Sequence, residues 1–253
     1  MPLKFSVLFL AAACVCAQAR AQSATQTPDA PTPAPDALTL RNAPRNFLHD
    51  QAGIWTAPLR ASQGEAVMGL LLIASAGALG SEDANIMQHH FLDLNTASHA
   101  STASTGLVGI LGAVPAAYYG FGRMRHNSDM EKTGYLAGEA MADGLAVNEV
   151  FKLSSRRERP NVDNARGLFF QPGAGWNSSF ASSHSVLAWS SATVLASRSH
   201  HLLYKVGLYG MASGVTVARV VGRDHFPSDV YVGSAVGWLI GRYVLHHHAT
   251  EDE

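Results

Sequence analysis

Six stretches rich in alanine, glycine and branched aliphatic residues alternate with polar joints along this chain: Ala66 to Gly80, Gly106 to Phe121, Tyr135 to Phe151, His184 to Ala196, Leu202 to Ala218 and Val230 to Leu245. Period-two alternation is scarce in them, so they read as helices rather than strands. Small residues such as Gly69, Ala74, Ala76, Gly77 and Ala78 let helix backbones approach one another closely. The expectation is an all-α fold, a compact bundle of about six helices with its active site at the helix ends. Ala66 to Gly80, flanked by Glu65 and Glu82, falls short of the roughly 20 residues that span a bilayer. A mean hydropathy of +0.05 also argues against six spans. A soluble or peripheral bundle accounts for these lengths, with a partly inserted protein as the open alternative.

A chain of 253 residues, 47% apolar, holds one sizeable core. Its formal net charge of -1 gives no electrostatic reason to expect nucleic acid or an anionic membrane surface as partner. Residues 1–21 read as a signal peptide, with Lys4 ahead of the apolar stretch Phe5 to Cys16 and small residues at Ala19 and Ala21. Cys14 offers a lipoprotein alternative. Both cysteines, Cys14 and Cys16, fall in that segment, so a processed chain carries neither disulfide nor thiolate metal site. Residues 22–45 read as a linker, its Pro28, Pro31, Pro33 and Pro35 favouring extended conformations. The domain is then expected over residues 46–248, exported to the periplasm or cell envelope. Oligomeric state is not legible.

Three polar segments interrupt the apolar pattern. FKLSSRRERP places Lys152, Arg156, Arg157, Arg159 and Pro160 at a helix end, a basic concentration that suits an anion or simply the carbonyl end of a helix dipole. In SSFASSHSVLAW, Ser182, Ser183 and His184 open a helix, where free backbone N–H groups attract anions and a serine commonly caps. In ARVVGRDHFPSD, Arg219 ends one helix while His225 and Asp229 begin the next. A carboxylate four residues after a histidine, across the turn at Pro227, can hold one imidazole nitrogen and leave the other free to attack.

Taken together, Lys-x6-Arg-Pro, Ser-x-His and Arg-x5-His-x3-Asp resemble the type 2 phosphatidic acid phosphatase and vanadium haloperoxidase superfamily, weakly from about Asp50 and specifically from Lys152 to Asp229. The resemblance implies that His225 attacks phosphorus to form a phosphohistidine, that Asp229 fixes its tautomer, and that His184 protonates the leaving alcohol. Lys152, Arg159, Arg219, the Ser182 hydroxyl and the Ser183 amide would surround the phosphoryl oxygens. No metal or cofactor enters that chemistry. The substrate would be a phosphate monoester or pyrophosphate, either lipid or small and soluble, with membrane contact as one option.

Two departures stand out. Ser183 occupies a position where the family usually has glycine, and Ala218 one where it usually has serine. They keep a non-catalytic phosphate-binding protein open as an alternative, beside vanadate-dependent halide oxidation. His89 and His90, and the run His246 to His248, are assigned no role, since terminal histidine runs are usually solvated. Trp55, Trp176 and Trp189 read as core or rim aromatics, and Arg156, Arg157 and Arg223 either as exposed contributors to a positive field that helps capture substrate or as plain exposed surface.

Overall fold

The computed structural model describes residues 38–89 and 94–249. The expected signal peptide, most of the expected linker and His90 lie outside these residues. Among the described residues all regular structure is helical, in seven α-helices: α1 (Ala43–Arg60), α2 (Gln63–His89), α3 (Leu94–Arg125), α4 (Ser128–Ser155), α5 (Ser183–Ser197), α6 (Leu202–Val221) and α7 (Pro227–Ala249). Six of them contain the six apolar stretches, extended at the ends. The seventh, α1, departs from the expected count. Its apolar residues, among them Phe47, Leu48, Ile54 and Trp55, recur at helical spacing but are diluted by polar ones and by two prolines, Pro44 in the first turn and Pro58 inside, so no apolar stretch announces it.

Local chemistry sets several boundaries. The Asn127 side chain accepts the Met130 N–H to start α4, with Asp129 and Glu131 in the first turn complementing the dipole. The helix ends at Arg156, in the left-handed conformation at φ 43°. Pro227 at the first position of α7 brings a preset φ and lacks only an N–H that would have no intrahelical partner.

The central element is α5, which packs against α3, α4, α6 and α7. Val186, Ala188, Ala192 and Val194 in it are fully buried. Its close approach to α7 depends on Gly233, Gly237 and Gly241, spaced one turn apart on one face of α7. A Cβ at Gly233 would lie 2.8 Å from the Ser182 carbonyl oxygen and 3.3 Å from its nitrogen. Replacing Gly233 by alanine should therefore destabilise the fold by about 1–3 kcal/mol, because backbone must move. Gly138 of α4 has nothing within 4 Å of an added Cβ. Gly138→Ala should stabilise by about 0.5–1 kcal/mol. Urea unfolding of the two variants checks the contrast.

The other layer is looser. α2 and α3 are each long and apolar enough to cross a membrane, and the most apolar window of α2 has nothing buried. Val67, Leu70, Leu71 and Ile73 of α2 are exposed. Near its far end, however, Asp83 is 1% exposed and anchors α2 to the start of α7.

Candidate active site

Three helix ends converge on one site: the last turn of α4 with Lys152, the first turn of α5 with Ser182, Ser183 and His184, and the α6–α7 junction with Arg219, His225 and Asp229. The α4–α5 connection returns across it and contributes Arg159. Lys152 is 8%, Arg219 6%, His225 2% and Asp229 0% exposed, too deep for a solvated charged patch.

The state of His225 follows from its partners. Its Nδ1 lies 2.7 Å from the Ser179 carbonyl oxygen. A carbonyl only accepts, so Nδ1 carries the proton and Nε2 the lone pair. Arg159 Nη1 is 3.4 Å from Nε2, and also donates to the Asp224 carbonyl at 2.9 Å. Burial holds the imidazole well below its usual pKa, reinforced by Arg159, Arg219 and Lys152. His225 is therefore a neutral imidazole presenting a lone pair to a ring of cations.

The same cations act on His184. Burial, with Arg219, Arg159 and Lys152, pushes it down to about 4 against the opposing pull of Asp224. Arg219 is held by α3, its Nη1 lying 3.2 Å from Ser104 Oγ and 3.0 Å from Asp224 Oδ2. Its buried Nε has no hydrogen-bond partner, a donor that an anion in the site can satisfy. Lys152 has Glu149 at 3.6 Å, and burial lowers its pKa. A dianion placed among three partly desolvated cations would relieve all of them.

The serines divide their work. Ser182 caps α5, its hydroxyl accepting the Ser185 N–H at 3.4 Å, while its own N–H donates to the Asp229 carbonyl at 3.2 Å. Ser183 points toward α4, accepting from Asn148 Nδ2 at 2.9 Å. The side chain that replaces glycine here is thus drawn toward Asn148, and the α5 amides remain at the helix start.

Residues 133–252 match the family model described as the PAP2 superfamily. This part of the chain belongs to the PAP2 superfamily. The match starts at Thr133 and so excludes the first half of the chain. No curated protein and no solved structure matches the chain.

Within the PAP2 domain, the structure differs from the sequence reading at Asp229. Its Oδ2 is 3.9 Å from His225 Nδ1, beyond hydrogen-bond range, so the Ser179 carbonyl sets the tautomer. Asp229 acts one step back. It accepts from Ser179 Oγ, from the Phe226 N–H at 2.8 Å and from Arg157 Nη1 at 2.6 Å. Burial raises its carboxyl, opposed by these three donors.

Arg157 is the second correction. Far from being an exposed contributor to a positive field, it is 3% exposed. Its guanidinium spans Asp229, Asp83 at 2.8 Å, Ser228 Oγ at 2.9 Å and the Gly167 carbonyl at 3.2 Å, with the Phe226 ring beneath it. Arg156 fits the exposed reading, and Arg223 is half-buried. Ser179, Asp83 and Asp224 carry no motif signal, and only the folded chain brings them to the site. Trp176 is 68% exposed on the α4–α5 connection and Trp55 46% exposed on α1, so both lie outside the core. Trp189 is half-buried and donates to Thr216. His89 is exposed beside the Asn85 carbonyl. The His246 to His248 run departs from the expectation of solvation, since His248 is buried at 6% exposure.

Proposed function

We propose that this protein is a phosphatase that hydrolyses phosphate monoesters or pyrophosphates through a phosphohistidine at His225 Nε2. The observation that carries the reading is the commitment of Nδ1 to the Ser179 carbonyl, which leaves the Nε2 lone pair facing Arg159. Nε2 attacks phosphorus, the bond from phosphorus to the leaving oxygen breaks, and His184 supplies a proton to that oxygen. Water then attacks the phosphohistidine with His184 as base, which frees phosphate and restores His225. Lys152, Arg159, Arg219 and the first amides of α5 balance the charge on the phosphoryl oxygens, the main demand of phosphoryl transfer. The scheme uses no metal or cofactor.

The substrate class we favour carries an apolar tail, as phosphatidic acid or a prenyl pyrophosphate does. Leu168, Phe169, Phe170 and Trp176 are all at least 40% exposed on the connection that also supplies Arg159, and such a patch suits a lipid. The bare apolar face of α2 suits the same setting, an envelope protein exported by its N-terminal signal and touching the membrane. Phosphate release by the purified chain from phosphatidic acid, a prenyl pyrophosphate and p-nitrophenyl phosphate tests both parts. The lipid substrates should give the higher kcat/KM, and vanadate should compete with them. No release from any of the three sinks the proposal, and preference for the aryl ester sinks its lipid part.

The proton donor makes a separate prediction. With His184 at about 4 in the free protein, its acid form declines tenfold for each pH unit above that value. The ratio of kcat/KM between wild type and His184→Ala cancels the ionisation of the substrate. For an alkyl phosphate it should start at about 10²–10⁴ and fall close to tenfold per unit as pH rises. A ratio independent of pH would remove His184 from the proton path.

A further inference from the structure

At the opposite end of the bundle, about 28 Å along α7 from Asp229 at 1.5 Å per residue, a second polar cluster is buried. Asp50 of α1, Glu139 of α4 and His248 of α7 are 0%, 8% and 6% exposed. His248 Nε2 lies 3.1 Å from Asp50 Oδ2 and 3.4 Å from Glu139 Oε2. Outer groups surround the two acids. Glu139 Oε1 accepts from the Tyr135 hydroxyl at 3.1 Å, which in turn accepts from Asn46 Nδ2 at 3.0 Å. His247 Nε2 stands 3.7 Å from Asp50 Oδ1 and 3.0 Å from His49 Nδ1. Asp50 Oδ1 and Glu139 Oε2 are both buried without a hydrogen-bond partner.

We propose that Asp50, Glu139 and His248 bind one divalent transition-metal ion of the zinc class, joining the first, fourth and last helices. One imidazole nitrogen and two carboxylate oxygens form an acceptable donor set for such an ion. Donors 2.0–2.1 Å from a tetrahedral ion stand about 3.3 Å apart, close to the two separations observed. Tyr135 then serves as the outer partner that fixes the orientation of the ligating Glu139 carboxylate. Charge points the same way. Asp143, one turn along α4, is a further fully buried carboxylate, with one oxygen 2.8 Å from Gln51 Nε2 and the other unpartnered. Such a concentration of buried acid is expensive without a cation. His248 also lines a cavity of about 250 Å³ together with Leu136 and Leu245, so the cluster lies close to open space.

Zinc titration of the chelator-treated full chain by calorimetry, with absorption of the cobalt-substituted protein, reads the site without any phosphatase activity. One equivalent should bind to wild type. Asp50→Asn and His248→Gln should each weaken binding at least about a hundredfold, and zinc should raise Tm in wild type far more than in either. Glu139→Gln, nearly isosteric, provides a third variant in which packing is retained, with circular dichroism to verify folding. His246→Ala removes an exposed imidazole of the same run that faces Arg242, and should bind as wild type does. Equal affinity in wild type and the three ligand variants overturns the site, as does loss in His246→Ala alone. Failure of wild type to take up zinc or cobalt at millimolar concentration also overturns it, and would make the cluster an ion-pair network around a His248 imidazolium.

Discussion

Replacing His225 with alanine should lower phosphate release by about 10⁴-fold or more, the scale on which loss of a covalent nucleophile is felt. The effect is this large because no other group can take over. Among the motif residues, His184 is the only other imidazole, and its surroundings suit proton transfer to an oxygen rather than attack on phosphorus. The variant leaves the Ser179 carbonyl without its partner in a buried site, at a cost of about 1–3 kcal/mol. It should therefore still fold, and urea unfolding separates that cost from the catalytic one. Quench of wild type in alkaline detergent with a radiolabelled substrate should trap label on the protein, stable in alkali and labile in acid, and His225→Ala should trap none. Retention of a tenth of the activity, or label trapped equally in the variant, would show that the nucleophile lies elsewhere.

The residues proposed to surround the phosphoryl group were readable from the chain, because their chemistry is rare in an apolar protein and their spacing follows helix ends. Lys152, Arg159, His184, Arg219 and His225 do gather as the three segments imply. What holds them was not readable. The bond from His225 to Ser179 crosses 46 positions and that from Arg157 to Asp83 crosses 74, and no local pattern selects such partners. Arg157 and Arg156 are neighbours in one basic run, yet one is buried and the other exposed. The left-handed turn at Arg156 ends α4 and sends the next residue inward, a change of direction that a list of basic residues does not contain. The same applies to α1. Asn46 and Asp50 are its buried residues, so polar contacts supplement the partly buried Ala43 and Ile54 in anchoring a helix that contains no long apolar stretch. His248 reads as solvated for a related reason, since a histidine run near a chain end resembles a surface tail until Asp50 and Glu139 arrive from elsewhere.

Arg157 should be the most destabilising position to truncate outside the apolar core. Arg157→Leu would leave Asp83 and Asp229 buried at 1% and 0% exposure without their shared cation, and breaking such a pair typically costs about 3–5 kcal/mol. The loss should register as a fall in urea midpoint with little change in slope. Lysine should recover little of it, because one ammonium cannot span two carboxylates, Ser228 Oγ and the Gly167 carbonyl as the planar guanidinium does. The origin of the effect can be isolated. If uncompensated charge is the cause, Asp83→Asn in the Arg157→Leu background should be neutral or stabilising, whereas in wild type it should destabilise. A coupling of about 1–3 kcal/mol between the two positions is expected from groups in direct contact. Activity should fall as well, since Ser179 joins Asp229 to His225 and shifts with its support. That loss should appear in kcat more than in KM, because Lys152 and Arg219, two of the three cations proposed to bind the substrate phosphate, stand on α4 and α6. A variant within 1 kcal/mol of wild type, or additive effects of Arg157→Leu and Asp83→Asn, would mean that packing of the Arg157 stem against Phe226, rather than the buried ion network, holds α2 and the α4–α5 connection to the start of α7.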